Sequence, residues 1–166
     1  GMACGGALAL GDMNGDGHLV LFIAGGVAPG NYPMGAEGRI YRNDGQGWKL
    51  DEKNSRLFEN IGIVNGAVWS DLDGDGLPEL ILACEWGPIR VFRNKGGLLF
   101  DITKDLGLEG YTGWWRGVTT ADLNNDGKMD IIASNWGLNS SYRASEKQPL
   151  VFLYGQIAQP GINDII

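Results

Sequence analysis

Three short loops of this 166-residue chain carry oxygen-bearing side chains at positions one, three and five and a glycine at position six. They are Asp12-Met13-Asn14-Gly15-Asp16-Gly17, Asp71-Leu72-Asp73-Gly74-Asp75-Gly76 and Asp122-Leu123-Asn124-Asn125-Asp126-Gly127. That spacing folds hard oxygen ligands around one point, and the glycine permits the sharp turn. The cation that suits such a cage is hard and divalent, Ca²⁺ first among them. An EF-hand would need an acid at position twelve and a helix on either side. Position twelve is instead Ile23, Leu82 and Ala133, each inside an apolar run. Solvated Asp-Gly hairpins holding no metal are the plain alternative, and three copies in one register weigh against it.

The flanks of the loops say what must position them. Before each loop runs a stretch containing glycine: Gly6 to Leu10, Gly66 to Ser70 and Gly117 to Ala121. After each runs an apolar segment: Val20 to Ala24, Leu80 to Ala83 and Ile131 to Ala133. These are too short for helices and rich in β-branched residues, so they read as buried strands, with the acidic loop joining two antiparallel neighbours. The likeness continues outward. Arg39-Ile40-Tyr41-Arg42-Asn43 matches Ile89-Arg90-Val91-Phe92-Arg93-Asn94, and each is followed by a glycine turn and an aromatic-bearing strand. A unit is therefore four strands, and the loop starts lie 59 and 51 residues apart. Four-stranded units of about 40–50 residues are the blades of β-propellers.

The expected fold is all-β. About three four-stranded antiparallel blades, approximately 3–63, 64–113 and 114–166, are followed by the start of a fourth, in a single partial propeller spanning 1–166. Gln156 to Asp164 fits the loop frame with its glycine at six and acid at nine, but positions one, three and five have become Gln156, Ala158 and Pro160. It reads as a loop that kept its turn and lost its metal. Ser140 to Pro149 reads as a polar surface connection.

Composition narrows the function. Apolar residues make up 43% of the chain, enough for a core and too many for an acidic disordered tail. The net charge is −7, the wrong sign for a nucleic-acid surface. The loops and their ninth positions hold nine of the twenty acids, a self-repelling arrangement that a bound cation relieves. Gly is 28 of 166, against a usual share of about 7%, and sits in the turns between apolar runs. One histidine and no Cys-x-x-Cys spacing argue against zinc. Cys4 and Cys84 are either two inert thiols or one disulfide. No transmembrane run or signal peptide is seen, and Gly1-Met2 reads as a cloning remnant.

The pattern of small residues, D-x-[DN]-x-D-G-x-x-[DE], apolar strand and Gly-Pro turn resembles the FG-GAP/VCBS repeat. Gly26-Val27-Ala28-Pro29 and Trp86-Gly87-Pro88 are similar to its turn segment, and the Arg-Asn-Gly turns and Trp136-Gly137-Leu138-Asn139 are similar to its VCBS branch. The Phe-Gly pair is absent; Gly5-Gly6, Asn65-Gly66 and Arg116-Gly117 stand in its place. The resemblance implies propellers, Ca²⁺ as metal, and an extracytoplasmic home, where even sites of ~10⁻⁴–10⁻³ M fill. It implies side-chain ligands at positions one, three, five and nine and a backbone carbonyl at seven. The second loop would then offer Asp71, Asp73, Asp75, Leu77 (carbonyl) and Glu79, and the third Asp122, Asn124, Asp126, Lys128 (carbonyl) and Asp130. The first would offer Asp12, Asn14, Asp16 and His18 (carbonyl). Its ninth residue is Val20, so the first loop is expected to bind most weakly or not at all.

No nucleophile elbow, phosphate loop or histidine-centred base is present. The paired carboxylates are explained by metal binding rather than by glycoside hydrolysis. Calcium is therefore expected to be mainly structural, in a non-enzymatic module that binds a protein or glycan ligand outside the cell. The alternative is the propeller portion of a secreted polysaccharide-active enzyme. Trp114-Trp115-Arg116 is the candidate ligand platform, because adjacent strand residues face opposite sides and both rings cannot share one buried face. Packing of both rings between blades is the rival reading. Propellers close with about four to eight blades, so this chain is expected to be a fragment of a longer protein or to self-associate, two copies completing one ring.

Overall fold

A computed structural model describes residues 5–137, 140–151 and 153–165. The first unit is an antiparallel meander of β1 (Gly5–Gly11), β2 (Val20–Gly25), β3 (Arg39–Asn43) and β4 (Trp48–Leu50), paired in that order. A short helix α1 (Glu52–Ser55) follows, its start fixed by the Asp51 side chain accepting a hydrogen bond from the Asn54 N–H. A 3-10 turn, Arg56–Phe58, leads on. The second unit repeats the meander with β5 (Ile63–Ser70), β6 (Glu79–Gly87), β7 (Ile89–Lys95) and β8 (Leu98–Asp101). The third is represented among the described residues by one hairpin, β9 (Gly113–Ala121) and β10 (Asp130–Asn135). A two-residue ladder, β11 (Tyr154–Gly155) with β12 (Asp164–Ile165), follows.

The chain is thus nearly all β and propeller-like, as expected, and its sheets do not close on themselves. The full four-strand order is present in the first two units. The expected outer strands of the third are not formed among the described residues. In the first unit the Arg42 Nε donates to Asp51 at 2.6 Å; Ile102 stands in the place of Asp51 in the second unit, and the Nε of the matching Arg93 is buried without a partner among the described residues.

The core lies between units. Phe22, Ile40 and Val20 face Leu80, Leu82 and Phe92 across the first junction, and Phe58 from the 3-10 turn fills it, its ring centroid 5.0 Å from Phe22 and 4.9 Å from Phe92. Ile81, Ala83 and Val91 face Ile131, Ala133 and Val118 across the second. Strand β6 is buried on both sides, which is why Leu80 to Cys84 reads as an unbroken apolar run rather than an alternating one. The inner strands of the second and third units approach so closely that a Cβ on Gly66 would lie 2.9 Å from the Gly117 Cα. Gly11 is likewise required by the Trp69 ring, 2.7 Å from where its Cβ would stand. Cys84 is a buried free thiol, its pKa pushed up to about 12 by burial. Cys4 lies outside the described residues.

Candidate metal centre

Every acidic loop joins the first two strands of its unit, so the three stand at the same end of the sheets. The turn is built by the acids themselves. At position one, Asp12 accepts from the backbone N–H of Gly15 and Gly17, each at 2.8 Å. Asp71 accepts from Gly74 at 2.8 Å and Gly76 at 2.9 Å, and Asp122 from Asp126 at 3.1 Å and Gly127 at 2.9 Å. At position five, Asp16, Asp75 and Asp126 accept from the N–H of His18, Leu77 and Lys128. The glycine at six has φ of 81°, 86° and 83° in the three loops, which only glycine adopts freely. The Gly17 N–H holds the Asp12 carboxyl below its ordinary value, and the His18 N–H does the same for Asp16.

Position nine separates the loops. The Glu79 and Asp130 carboxylates each reach back to the N–H of position two, Leu72 and Leu123, both at 3.0 Å. Val20 of the first loop is packed in the core instead. Among the described residues, only the second loop brings three carboxylates together, with oxygens of Asp71, Asp73 and Glu79 all within 4.8 Å of one another. Glu79 is 1% exposed. Burial pushes its carboxyl up, against the pull of the Leu72 and Asn94 N–H groups, and Asp73 and Asp75 push it further. In the first and third loops an amide takes position three, and Asn14 and Asn124 donate to Asp16 at 2.8 Å and Asp126 at 3.0 Å. In the second loop Asp73 faces Arg93 at 3.2 Å.

This donor set fits a hard divalent cation. A buried carboxylate beside two others is costly alone and is offset by a bound ion. Asp71, Asp73, Asp75, Glu79 and the Leu77 carbonyl would hold the ion in the second loop. An ion there would cross-link the ends of β5 and β6.

The fourth, degenerate segment closes the same turn. Gln156 accepts from the Gly161 N–H at 3.0 Å, Gly161 has φ of 85°, and Asp164 accepts from Ile157 at 3.0 Å and Ala158 at 2.7 Å. The hydrogen bonds from positions one and nine persist where the ligands at three and five are gone.

The opposite end of the strands holds four of the six tryptophans, Trp86, Trp114, Trp115 and Trp136. Trp114 packs on Trp86 with ring centroids 4.9 Å apart and edge-on against Trp136 at 4.2 Å, and the Arg116 guanidinium lies 5.7 Å from its centroid. Trp115 turns the other way, into the second junction, and donates to the Tyr111 carbonyl at 3.2 Å. The two rings do divide between faces.

Sequence reasoning missed a buried acid at this end. The buried Glu85 carboxylate accepts from the Tyr32 hydroxyl at 2.7 Å, Asn65 at 3.0 Å and Arg116 at 3.3 Å, joining all three units. Burial first, and the bond to Glu85 second, push the Tyr32 phenol up to about 12. Trp86, beside Glu85, has φ of 62°, a strained conformation for a bulky residue. The signal available was the pairing of Asn65 and Arg116 as the residues before the inner-strand glycines.

A family model for the FG-GAP-like repeat matches residues 12–82 and 71–133, each match beginning on the first aspartate of an acidic loop. Cartilage acidic protein 1 of Xenopus tropicalis is 41% identical over 75 residues, 45% of this chain and 10% of that protein. Its counterparts in Mus musculus and Homo sapiens are each 32% identical over 83 residues, 49% of this chain and 12% of theirs. The chain spans about a tenth of the length of the curated relatives it matches. Among the described residues no helix is long and apolar enough to cross a membrane.

Proposed function

From the chain's membership of the FG-GAP-like repeat family, we propose that it is a calcium-binding, propeller-like repeat module of an extracellular protein. Ca²⁺ serves the fold, and the tryptophan-lined end meets a protein or glycan ligand. The observation that carries the calcium reading is the convergence of Asp71, Asp73 and Glu79 within 4.8 Å around a turn that recurs in register. The second loop is the strongest site, with four side-chain acids. The third follows, and the first, with Val20 at position nine, is the weakest. Hard oxygen donors on a turn fixed by backbone hydrogen bonds favour Ca²⁺, which tolerates irregular coordination, over Mg²⁺, which demands an octahedron and keeps its waters.

The family and the similarity to cartilage acidic protein 1 support a non-enzymatic repeat module and an extracellular setting. The half-exposed indoles beside Arg116 support the ligand assignment: indole faces suit sugar rings and apolar side chains alike. Calorimetric titration with Ca²⁺ tests the metal assignment. Wild-type protein is expected to bind two or more ions with graded affinity. Asp71→Asn is expected to lose the tightest step, at a cost of at least about tenfold in Kd. Absence of any binding heat or bound metal in wild type would refute the calcium reading.

A further inference from the structure

The strand ends opposite the acidic loops meet at one corner of the fold. Tyr32 reaches it from the loop between β2 and β3, Asn65, Glu85 and Trp86 from β5 and β6, and Trp114 and Arg116 from β9. All three units contribute, so the corner lies between neighbours and is not the outer face of a terminal unit.

Glu85 organises it. Its side chain is only 6% exposed. Its Oε1 accepts from the Tyr32 hydroxyl, and its Oε2 accepts from Asn65 Nδ2 and Arg116 Nη1. The Trp115 carbonyl holds Asn65 in turn at 2.8 Å, and the Trp86 indole N–H donates to the Tyr32 hydroxyl at 2.5 Å. A cationic ligand would meet a carboxylate already surrounded by donors. Arg116 is placed differently. Its side chain is 56% exposed, yet Glu85 holds it at 3.3 Å and the Trp114 ring centroid lies 5.7 Å from its guanidinium carbon. A guanidinium carries five N–H donors in a rigid fork, and among the described residues Arg116 spends one nitrogen on Glu85. The remaining donors face solvent from a side chain already held in place, which lowers the ordering cost of binding.

Two further features mark the corner as a ligand site. Trp86 is held at φ of 62°, a strained conformation of the kind that clusters at such sites. The Trp114 Nε1 is buried without a partner among the described residues, an unspent donor beside the same guanidinium. We infer that this corner binds the carboxylate of an acidic sugar, a uronate residue of a glycan chain, an assignment that rests on the tryptophan-lined end being the ligand-binding face and narrows its ligand to one class. Arg116 meets the carboxylate through two parallel hydrogen bonds, and the indoles of Trp86 and Trp136 meet the ring. A uronate suits both because its carboxylate stands one bond from a ring whose C–H face packs on indole. An acidic peptide side chain carries the charge on a flexible stem and has no such face.

Calorimetry and tryptophan emission of the whole chain, at constant free millimolar Ca²⁺, read the outcome with three probes: a linear glucuronate tetrasaccharide, its glucose counterpart and a tetraglutamate peptide. The glucuronate probe is expected to bind at least tenfold more tightly than either of the others, to shift the emission, and to weaken with added salt. Arg116→Gln is expected to weaken glucuronate binding at least tenfold and to leave binding of the glucose probe unchanged. Arg116→Lys keeps the charge beside Glu85 and loses the fork, so its affinity is expected to fall between wild type and Arg116→Gln. Thermal melts matching wild type show which variants are folded. Equal binding of the glucose probe, or glucuronate binding unchanged in a folded Arg116 variant, overturns the uronate assignment. Binding of tetraglutamate or the glucose probe alone overturns it too, while a ligand-binding end still stands. Silence from all three probes overturns the uronate assignment and leaves the ligand-binding end unsupported.

Discussion

Glu79 sits in the second loop with its carboxylate out of water and two further acids, Asp73 and Asp75, close enough to raise its pKa. Its oxygens accept from the Leu72 N–H at 3.0 Å and the Asn94 N–H at 3.4 Å, bonds between neutral donors and a buried charge. Two backbone bonds do not offset the desolvation of a carboxylate in an acidic cluster. A cation does. Glu79→Gln keeps the acceptor for Leu72 and removes the charge, so its effect should change sign with the metal. In EDTA the variant is expected to melt about 2–4 °C above wild type, and in millimolar Ca²⁺ below it. Scanning calorimetry of both proteins in both buffers checks this. A variant less stable in both would show that the carboxylate's hydrogen bonds outweigh its desolvation without any ion.

The loops and the strands around them were legible in the sequence because their causes are local. An aspartate that accepts from N–H groups three to five residues on, and a glycine at φ near 80°, need no distant partner. The fourth segment shows how local the turn is. Gln156 and Asp164 close it although Ala158 and Pro160 stand where ligands would be. Restoring the donors with Gln156→Asp, Ala158→Asp and Pro160→Asp is therefore expected to add one Ca²⁺ to the stoichiometry measured by equilibrium dialysis, with a Kd near ~10⁻⁴–10⁻³ M. An unchanged stoichiometry in a folded variant would mean that the turn alone does not pre-form the cage. What could not be read was non-local. Glu85 gathers Tyr32, Asn65 and Arg116 from three units, up to 53 residues apart, and nothing in the run Leu80 to Cys84 announces it. Nor could periodicity show that the third unit would keep only β9 and β10 among the described residues. The division of Trp114 from Trp115 was legible, since strand geometry alone puts adjacent rings on opposite faces.

At the scale of the molecule, chemistry is sorted by the direction of the strands. The loop acids stand at the end where each unit's first two strands join, and the cluster of Trp86, Trp114 and Trp136 lies with Glu85 at the other. Between them the apolar faces of neighbouring units supply the core, as in other repeat proteins whose units cannot bury their surfaces alone. With a net charge of −7, much of it concentrated in the loops, the empty molecule repels itself at one end. On the proposed reading, cations bound there would stabilise the folded state by RT ln(1 + [L]/Kd), because the unfolded chain has no such cages. The direct test is a thermal melt of the chain stripped with EDTA, then in millimolar Ca²⁺, then in equal Mg²⁺. A rise of several degrees in Ca²⁺ alone is the expected result. Identical melting temperatures in all three, on protein shown by elemental analysis to carry no metal, would contradict the calcium-binding reading.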